Sequence, residues 1–343
     1  MPIKLLEIPS SLLKSIAPTA DEVELLAHGL QVNTRDKELC GGDEDGLFSV
    51  ILSNRIPTRP NENYHVFLVS LEGSVNELPD ENEIQYMQEA ASIASSAHEK
   101  AMRHSRPGMG EWEIQSLVEG HFLSSLSQWS FPSIVGGGDN ATVLHYKNNN
   151  QVIGPGDLVL VDAGCEVSGY ASDITRTWPV NGRFSQPQRE IYNLVLKAEL
   201  AGIEACQPGM PWVSMHEAVC VTIAEGLIEL GVLNCTLEDA LGRVAEKPGV
   251  FEGQIRNFFM HGTGHFLGLD VHDVGGGRQG DPNSSFLLEP GMVLTIEPGL
   301  YFGSWRNDIL IPERYAGIGI RIEDDVLVTE QGPFVLSSSC PKM

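Results

Sequence analysis

The feature that most constrains this chain is a duplication that ends in acids. GPGDLVLVDAG (154–164) and LEPGMVLTIEPG (288–299) both run turn, apolar strand, carboxylate, small residue, glycine. That places Asp162 and Glu297 at equivalent positions. Each is followed by a second strand-like stretch with another carboxylate, Asp173 in ASDITRTWPV and Glu323 in GIRIEDDVLVT. RPGMGEWEIQSLVE (106–119) and QPGMPWVSMHEAVC (207–220) form a second, looser echo. Repeats of about 20–50 residues signal solenoids. This one is longer and occurs twice, so it predicts two similar halves facing each other.

An acid at the end of an apolar strand is costly. An unpaired buried carboxylate costs several kcal/mol and protonates instead of staying charged. The segments around Asp162, Asp173, Glu297 and Glu323 offer few fixed cations, chiefly Arg176 and Arg321. A bound dication, or two, resolves the conflict. Strand periodicity sharpens this: GCEVSGY between Asp162 and Asp173 reads as a tight hairpin that points both acids to one face. Glu297 and Glu323 repeat the device across a longer loop.

The stretch HGTGHFLGLDVHD (261–273) then supplies His261, His265 and His272. One imidazole beside four carboxylates suits Mn, Co, Fe or Zn better than Ca. Two such ions about 3.5–4 Å apart can hold a bridging hydroxide and bind a substrate carbonyl. The other two histidines would donate hydrogen bonds to the tetrahedral species. Gly262, Gly264 and Gly268 would let backbone approach the site closely. The H-x-x-x-H spacing lacks the intervening Glu of a helical zinc protease, which speaks against that class.

The organisation upstream is plainer. Residues 1–78 are turn-rich at 40–46 and 53–64, with a strand-like YHVFLVSL (64–71). A long helix begins after 79, with Asp80 as N-cap and Glu83 three residues on. Its apolar face comprises Ile84, Met87, Ala91, Ala94, Ala97 and Ala101. The expected domains are a short N-terminal region, 1–78, and a catalytic domain, 79–343. The net charge is −24, from 46 acidic and 22 basic residues. Such a field disfavours nucleic acid and anionic membranes as partners. No run is long enough to span a bilayer, and Pro2, Glu7 and Pro9 interrupt any signal-peptide core. Six cysteines without a C-x-x-C pair predict buried, reduced thiols. A cytoplasmic protein is expected, with organellar import left open.

The order Asp162, Asp173, His265, Glu297, Glu323 resembles the metal-ligand signature of the pita-bread metallopeptidases, which include methionine aminopeptidase, aminopeptidase P and prolidase. FPSIVGGGDNATVLHY (131–146), VLVDAGCEVSGYASDITRTWPVNGRF (159–184), HGTGHFLGLDVHDVG (261–275) and YAGIGIRIEDDVLVT (315–329) are most similar to aminopeptidase P and prolidase. The resemblance covers about 80–335. It implies an α+β fold in which two αβ halves surround a curved antiparallel sheet. It also implies a metallo-exopeptidase, a hydrolase that removes the residue before a penultimate proline. By the same resemblance Asp162 chelates one metal, His265 and Glu297 the other, and Asp173 and Glu323 bridge. Glu297 is then the general base. His272 contacts the substrate around the scissile bond, His261 lies in the pocket, His145 lines the proline pocket and Arg321 orients the substrate. The implied cofactors are two divalent ions, manganese first, with cobalt, zinc and iron as alternatives. Proline-containing peptides are the implied partners, and a homodimer is compatible. The alternatives are a prolidase restricted to dipeptides and a non-catalytic peptide-binding relative. Fewer residues precede the catalytic part here than in most relatives.

Overall fold

The computed structural model describes residues 78, 79, 81–244, 249–273 and 287–343, together with the backbone of three strands nearer the N-terminus. The expected N-cap Asp80 and the turn-rich stretches 40–46 and 53–64 lie outside the described residues. The chain divides into two compact units, Met1–Glu77 and Leu78–Met343. In the first, β1 (Leu5–Ile8), β2 (Phe48–Ile51) and β3 (Val66–Ser70) form an antiparallel sheet in the order β1-β3-β2.

The second unit is built twice from the same parts. Its first half opens with α1 (Glu81–His104) and α2 (Glu111–Ser124), which pack on each other. Met87, Ala91, Ala94, Ala97 and Ala101 are fully buried, so the predicted face of α1 is its packing face. The alanines keep that face low and let the helix lie close to the sheet. The sheet is antiparallel, with β6 (Leu158–Asp162) between β5 (Ile134–Gly137) and β9 (Thr175–Pro179). All five residues of β6 are buried. Val159 and Val161 join the core of α1 and α2, while Leu160 packs with Ile134, Ala141 and Tyr146. A strand covered on both faces has no solvent side, which is why LVLV shows no alternation. Phe122 is fully buried in the α1–α2 core; its truncation to alanine costs about 3–5 kcal/mol.

The second half repeats the plan with α3 (Gln186–Ala205) and α4 (Val213–Glu229), again packed on each other. Ser185 caps α3 by accepting from Gln188 N–H, and the Gln188 side chain accepts from Ser185 N–H. The second sheet is also antiparallel, with β13 (Asp324–Thr329) between β10 (Val293–Ile296) and β14 (Gly332–Val335). A two-stranded ladder of β11 (Gly299–Phe302) and β12 (Ile318–Arg321) lies beside it in sequence. The turns match between halves. Gly108 and Gly209 in the two PGM turns have φ of 89° and 81°; Gly156 and Gly291 in the two PG turns have 90° and 101°. These positive values favour glycine in all four places.

One local expectation is corrected. The hairpin between Asp162 and Asp173 is shorter than read: β7 (Cys165–Val167), which also pairs with β4 (Gln128–Trp129), and β8 (Tyr170–Ala171) turn at Ser168 and Gly169. Asp173 therefore sits two residues ahead of β9 instead of within a strand. Its neighbour Ile174 still accepts from Ala163 N–H at 3.0 Å, which keeps the two acids adjacent. Among the described cysteines, Cys165, Cys206, Cys220 and Cys340 are buried, Cys235 is half-buried, and none is in a disulfide. No described helix is long and apolar enough to cross a membrane.

Candidate metal centre

The equivalent strand ends meet. Asp162 pairs across the ladder with Thr175, and Ile296, just before Glu297, pairs with Asp324, just after Glu323. A β-bridge between Thr175 and Glu323 joins the two halves. The histidine segment comes in as a further short strand: Phe266 bridges Leu294, and Thr295 N–H donates to the His265 carbonyl at 2.9 Å. That register sets His265 beside Glu297. A Cβ on Gly264 would lie 1.8 Å from the Thr295 carbonyl, and one on Gly268 would lie 2.0 Å from the Asp273 carboxylate. Close approach to backbone thus requires glycine at Gly264, whereas at Gly268 the neighbour is the end of a side chain. Gly262 has open space instead.

All nine residues singled out from the sequence line one cavity of about 620 Å³: His145, Asp162, Asp173, His261, His265, His272, Glu297, Arg321 and Glu323. Asp173, His265 and Glu323 offer ligand atoms that all lie within 4.8 Å of one another. His265 Nε2 is 3.5 Å from Asp173 Oδ2 and 3.8 Å from Glu297 Oε1. The His265 ring is oriented for ligation. Its Nδ1 faces the Phe266 carbonyl at 3.0 Å, and a carbonyl only accepts. The proton therefore sits on Nδ1, and Nε2 turns its lone pair to the carboxylates. Burial lowers the His265 pKa to about 4, which keeps the ring neutral.

His261 is oriented in the same way. Nδ1–H donates to the Gly262 carbonyl, and Nε2 accepts from Tyr301 O–H, both at 2.8 Å. Tyr301 accepts in turn from Arg321 Nη1 at 3.0 Å. Burial and the Arg321 charge lower His261 to about 3, and burial raises Tyr301 to about 12. Arg321 also donates to Asp162 Oδ2 at 2.6 Å and to Thr175 Oγ1 at 3.2 Å. Its donors are largely committed within the protein. His272 stacks edge-on against His265, centroids 4.2 Å apart.

The acids fit a cation. Burial, then the Glu323 charge, pushes Asp173 well above the usual carboxylate range; burial, then Glu297, does the same to Glu323. Burial raises Glu297 to about 8, although Arg321 opposes the rise. Asp162 Oδ1 and Asp173 Oδ1 are buried without a hydrogen-bond partner. The carboxyl environment is built, not accidental: Asp173 N–H donates to both Asp325 oxygens at 3.1 and 3.2 Å, and Thr175 O–H donates to Glu323 Oε2 at 2.6 Å. Arg176, the other cation read from the sequence, serves the back of the site. It pairs with Asp324 at 2.6 Å and donates to the Glu323 carbonyl at 2.7 Å.

Several lining or supporting residues are absent from the sequence reading. His216 and Trp212 line the cavity from the start of α4, and His216 Nδ1 lies 2.7 Å from Thr263 Oγ1. Their four-residue spacing within QPGMPWVSMHEAVC marks one helical face and was a usable signal. Thr175, Tyr301 and Asp325 act across the fold and left none.

A model of metallopeptidase family M24 matches residues 85–330. The chain is 46% identical over 262 residues to an Xaa-Pro aminopeptidase of Haemophilus influenzae, covering 76% of this chain and 57% of that one. It is 44% identical over 261 residues to the Escherichia coli Xaa-Pro aminopeptidase, covering 76% and 56%. The solved structure of a Pseudomonas aeruginosa aminopeptidase superposes with a TM-score of 0.71 at 42% identity, over 78% of this chain and 57% of that one. The same values hold for E. coli aminopeptidase P with the inhibitor Pro-Leu. The chain thus spans somewhat over half the length of these relatives. With ligand geometry, duplicated strands and family match in agreement, the chain belongs to metallopeptidase family M24.

Proposed function

We propose that this protein is an Xaa-Pro aminopeptidase, with 79–343 as its catalytic domain and 1–78 as a short accessory region. In this reading the two ladders joined at Thr175 and Glu323 are parts of one curved pita-bread sheet. The observation that carries the proposal is the balance of charge at the strand ends. Against four carboxylates, Asp162, Asp173, Glu297 and Glu323, the described residues that line the cavity set one guanidinium, Arg321, which pairs with Asp162. That leaves three negative charges, which one dication cannot neutralise and two can.

Asp162 would hold one ion, His265 and Glu297 the other, with Asp173 and Glu323 shared between them. Manganese is our first choice, ahead of cobalt, zinc and iron. When bound, such ions polarise a substrate carbonyl and lower the pKa of water toward neutrality. The chain's own residues do the rest. Glu297 takes a proton from the attacking water and returns it to the proline nitrogen, which leaves as a secondary amine. An Xaa-Pro bond has no N–H, so the pocket recognises the ring: His145, Phe131 and Leu144 wall it. His272 faces the scissile bond from its place against His265. Arg321 acts on the substrate through Tyr301 and His261, since its own donors are committed. Proline-containing peptides are the substrates. A homodimer and a cytoplasmic site of action complete the reading; a relative in Arabidopsis thaliana named as mitochondrial marks the organellar alternative.

The test is a panel of Ala-Pro, Ala-Pro-Ala and Ala-Ala-Ala with chelated and manganese-loaded protein. Manganese-dependent release of alanine from Ala-Pro-Ala, and none from Ala-Ala-Ala, is expected. Cleavage of Ala-Pro alone would make the protein a prolidase.

A further inference from the structure

Beyond His145 the cavity wall carries a cation that no step above uses. The loop after β5 is pinned from within. Tyr146 is buried and donates its O–H to Glu111 Oε2 at 2.9 Å. Asn149 is buried and spans three partners: it accepts from Val135 N–H at 3.0 Å and donates to the Ser133 carbonyl at 2.8 Å and to Gln115 at 2.9 Å. Between and beside these anchors, His145 and Lys147 are exposed and both line the cavity. Tyr146 is turned inward and its two neighbours outward, His145 closing a turn and Lys147 lying just past it.

Lys147 differs from the other cation of the wall. Arg321 is almost fully buried and held by Asp162, Tyr301 and Thr175. Lys147 makes no hydrogen bond or ion pair among the described residues. In a chain of net charge −24 an anionic ligand is repelled by most of the surface, so a cation inside the cavity has a strong local effect on what enters.

We propose that Lys147 forms an anion subsite for the carboxylate that ends a short peptide just past its proline, making Xaa-Pro-Xaa tripeptides with a free C-terminus the favoured substrate class. The inference rests on the Xaa-Pro reading, in which the proline ring lies against His145. Lys147 follows His145 by two residues, a reach of at most ~7 Å along the backbone. An extended peptide covers about that distance from its proline to the carboxylate of the next residue. Longer peptides and C-terminal amides gain nothing from this contact.

The test compares kcat/KM for Ala-Pro-Ala and Ala-Pro-Ala-NH2 on the same manganese-loaded preparation, so that metal loading cancels from the ratio. The free acid is expected to be favoured about 3–5-fold, the scale of one exposed ion pair, and the preference should shrink in about 0.5 M salt. Lys147→Met should bring the ratio near one, Lys147→Arg should retain it, and Lys147→Glu should reverse it. An unchanged ratio in Lys147→Met overturns the subsite. If the wild-type protein cleaves neither peptide, the Xaa-Pro reading fails. Calorimetric binding of Pro-Ala against Pro-Ala-NH2 then still decides Lys147: equal affinities in the wild type reject it.

Discussion

The two halves deliver their carboxylates by the same device and finish it differently. In the first, Asp162 is gripped by Arg321 and Asp173 is anchored through its backbone to Asp325. In the second, Glu323 is held by Thr175 O–H, but Glu297 has no side-chain hydrogen bond among the described residues. Its ion-pair partners among the described residues are His261 and His265, each at 3.8 Å. Its side chain is 21% exposed, against 8% for Asp173. Two carboxylates, Asp162 and Glu323, are thus held by side-chain donors, Asp173 is buried and positioned through its own backbone, and Glu297 is the one most open to the cavity. Fixed acids suit metal binding, and an unfixed one can exchange protons with water. The duplication supplied four equivalent strand ends, and their partners separate them by role.

That contrast can be broken at its strongest point first. Asp173→Asn removes a charge from the centre of the Asp173–His265–Glu323 group. Manganese affinity should fall by ~100-fold or more and activity with it, a loss in line with removing a group that orients or holds a metal; titration against a fluorescent chelator reads the first and alanine release the second. Glu297→Gln should act mainly on the rate. A drop of about 10²–10⁴ in kcat is expected for the loss of a general base, with a smaller change in metal affinity than Asp173→Asn produces. Equal losses of affinity in the two variants would erase the distinction between fixed and open acids.

How much of this was legible before the fold was known follows from the range of each interaction. The four acids of the proposed centre stood out because apolar strand and acid lie together in sequence and occur twice. The histidines of 261–272 stood out because they cluster among glycines, and His145 came from the family resemblance alone. The residues that differentiate the acids were invisible: Asp325 meets Asp173, and Thr175 meets Glu323, across about half the chain. Nothing local in TRTWPV marks Thr175 as a donor to a distant carboxylate. The position of Asp173 was misjudged because the β7–β8 hairpin closes at Ser168 and Gly169, which strand periodicity alone does not locate.

A buried histidine in each half offers the next comparison. His98 on α1 faces the Ala163 carbonyl at 3.0 Å, one residue past Asp162. His216 on α4 faces Thr263, two residues before His265. Burial lowers both from 6.5 to about 4. Between those values the unfolded chain binds more protons than the folded one, so stability rises with pH. It is fully present above pH 6.5 and is lost as the pH falls toward 4, up to about 3 kcal/mol for each histidine. Urea unfolding of the metal-free protein and of each histidine variant at pH 7 and pH 4.5 measures this, the difference between them cancelling the site acids that titrate the other way. His98→Gln and His216→Gln should each reduce the pH dependence by a similar amount, and a much smaller change for one would show that its half opens before global unfolding.

The smallest effect lies in the chain from Arg321 through Tyr301 to His261. Tyr301→Phe removes the acceptor for one Arg321 N–H and the donor to His261 Nε2, while Arg321 keeps Asp162 and Thr175. Asp162 therefore stays paired, and manganese affinity should change by less than about 2-fold. His261 keeps its bond to the Gly262 carbonyl but loses the second that fixes its ring, a loss of about 1 kcal/mol. A fall of about 5–10-fold in kcat/KM is the corresponding expectation. Because burial holds His261 near 3 and Tyr301 near 12, neither titrates between pH 6 and 9, and the defect should be constant across that range. A defect that instead tracks manganese concentration would mean that this chain of hydrogen bonds serves the first half's Asp162 and not the histidine of the second.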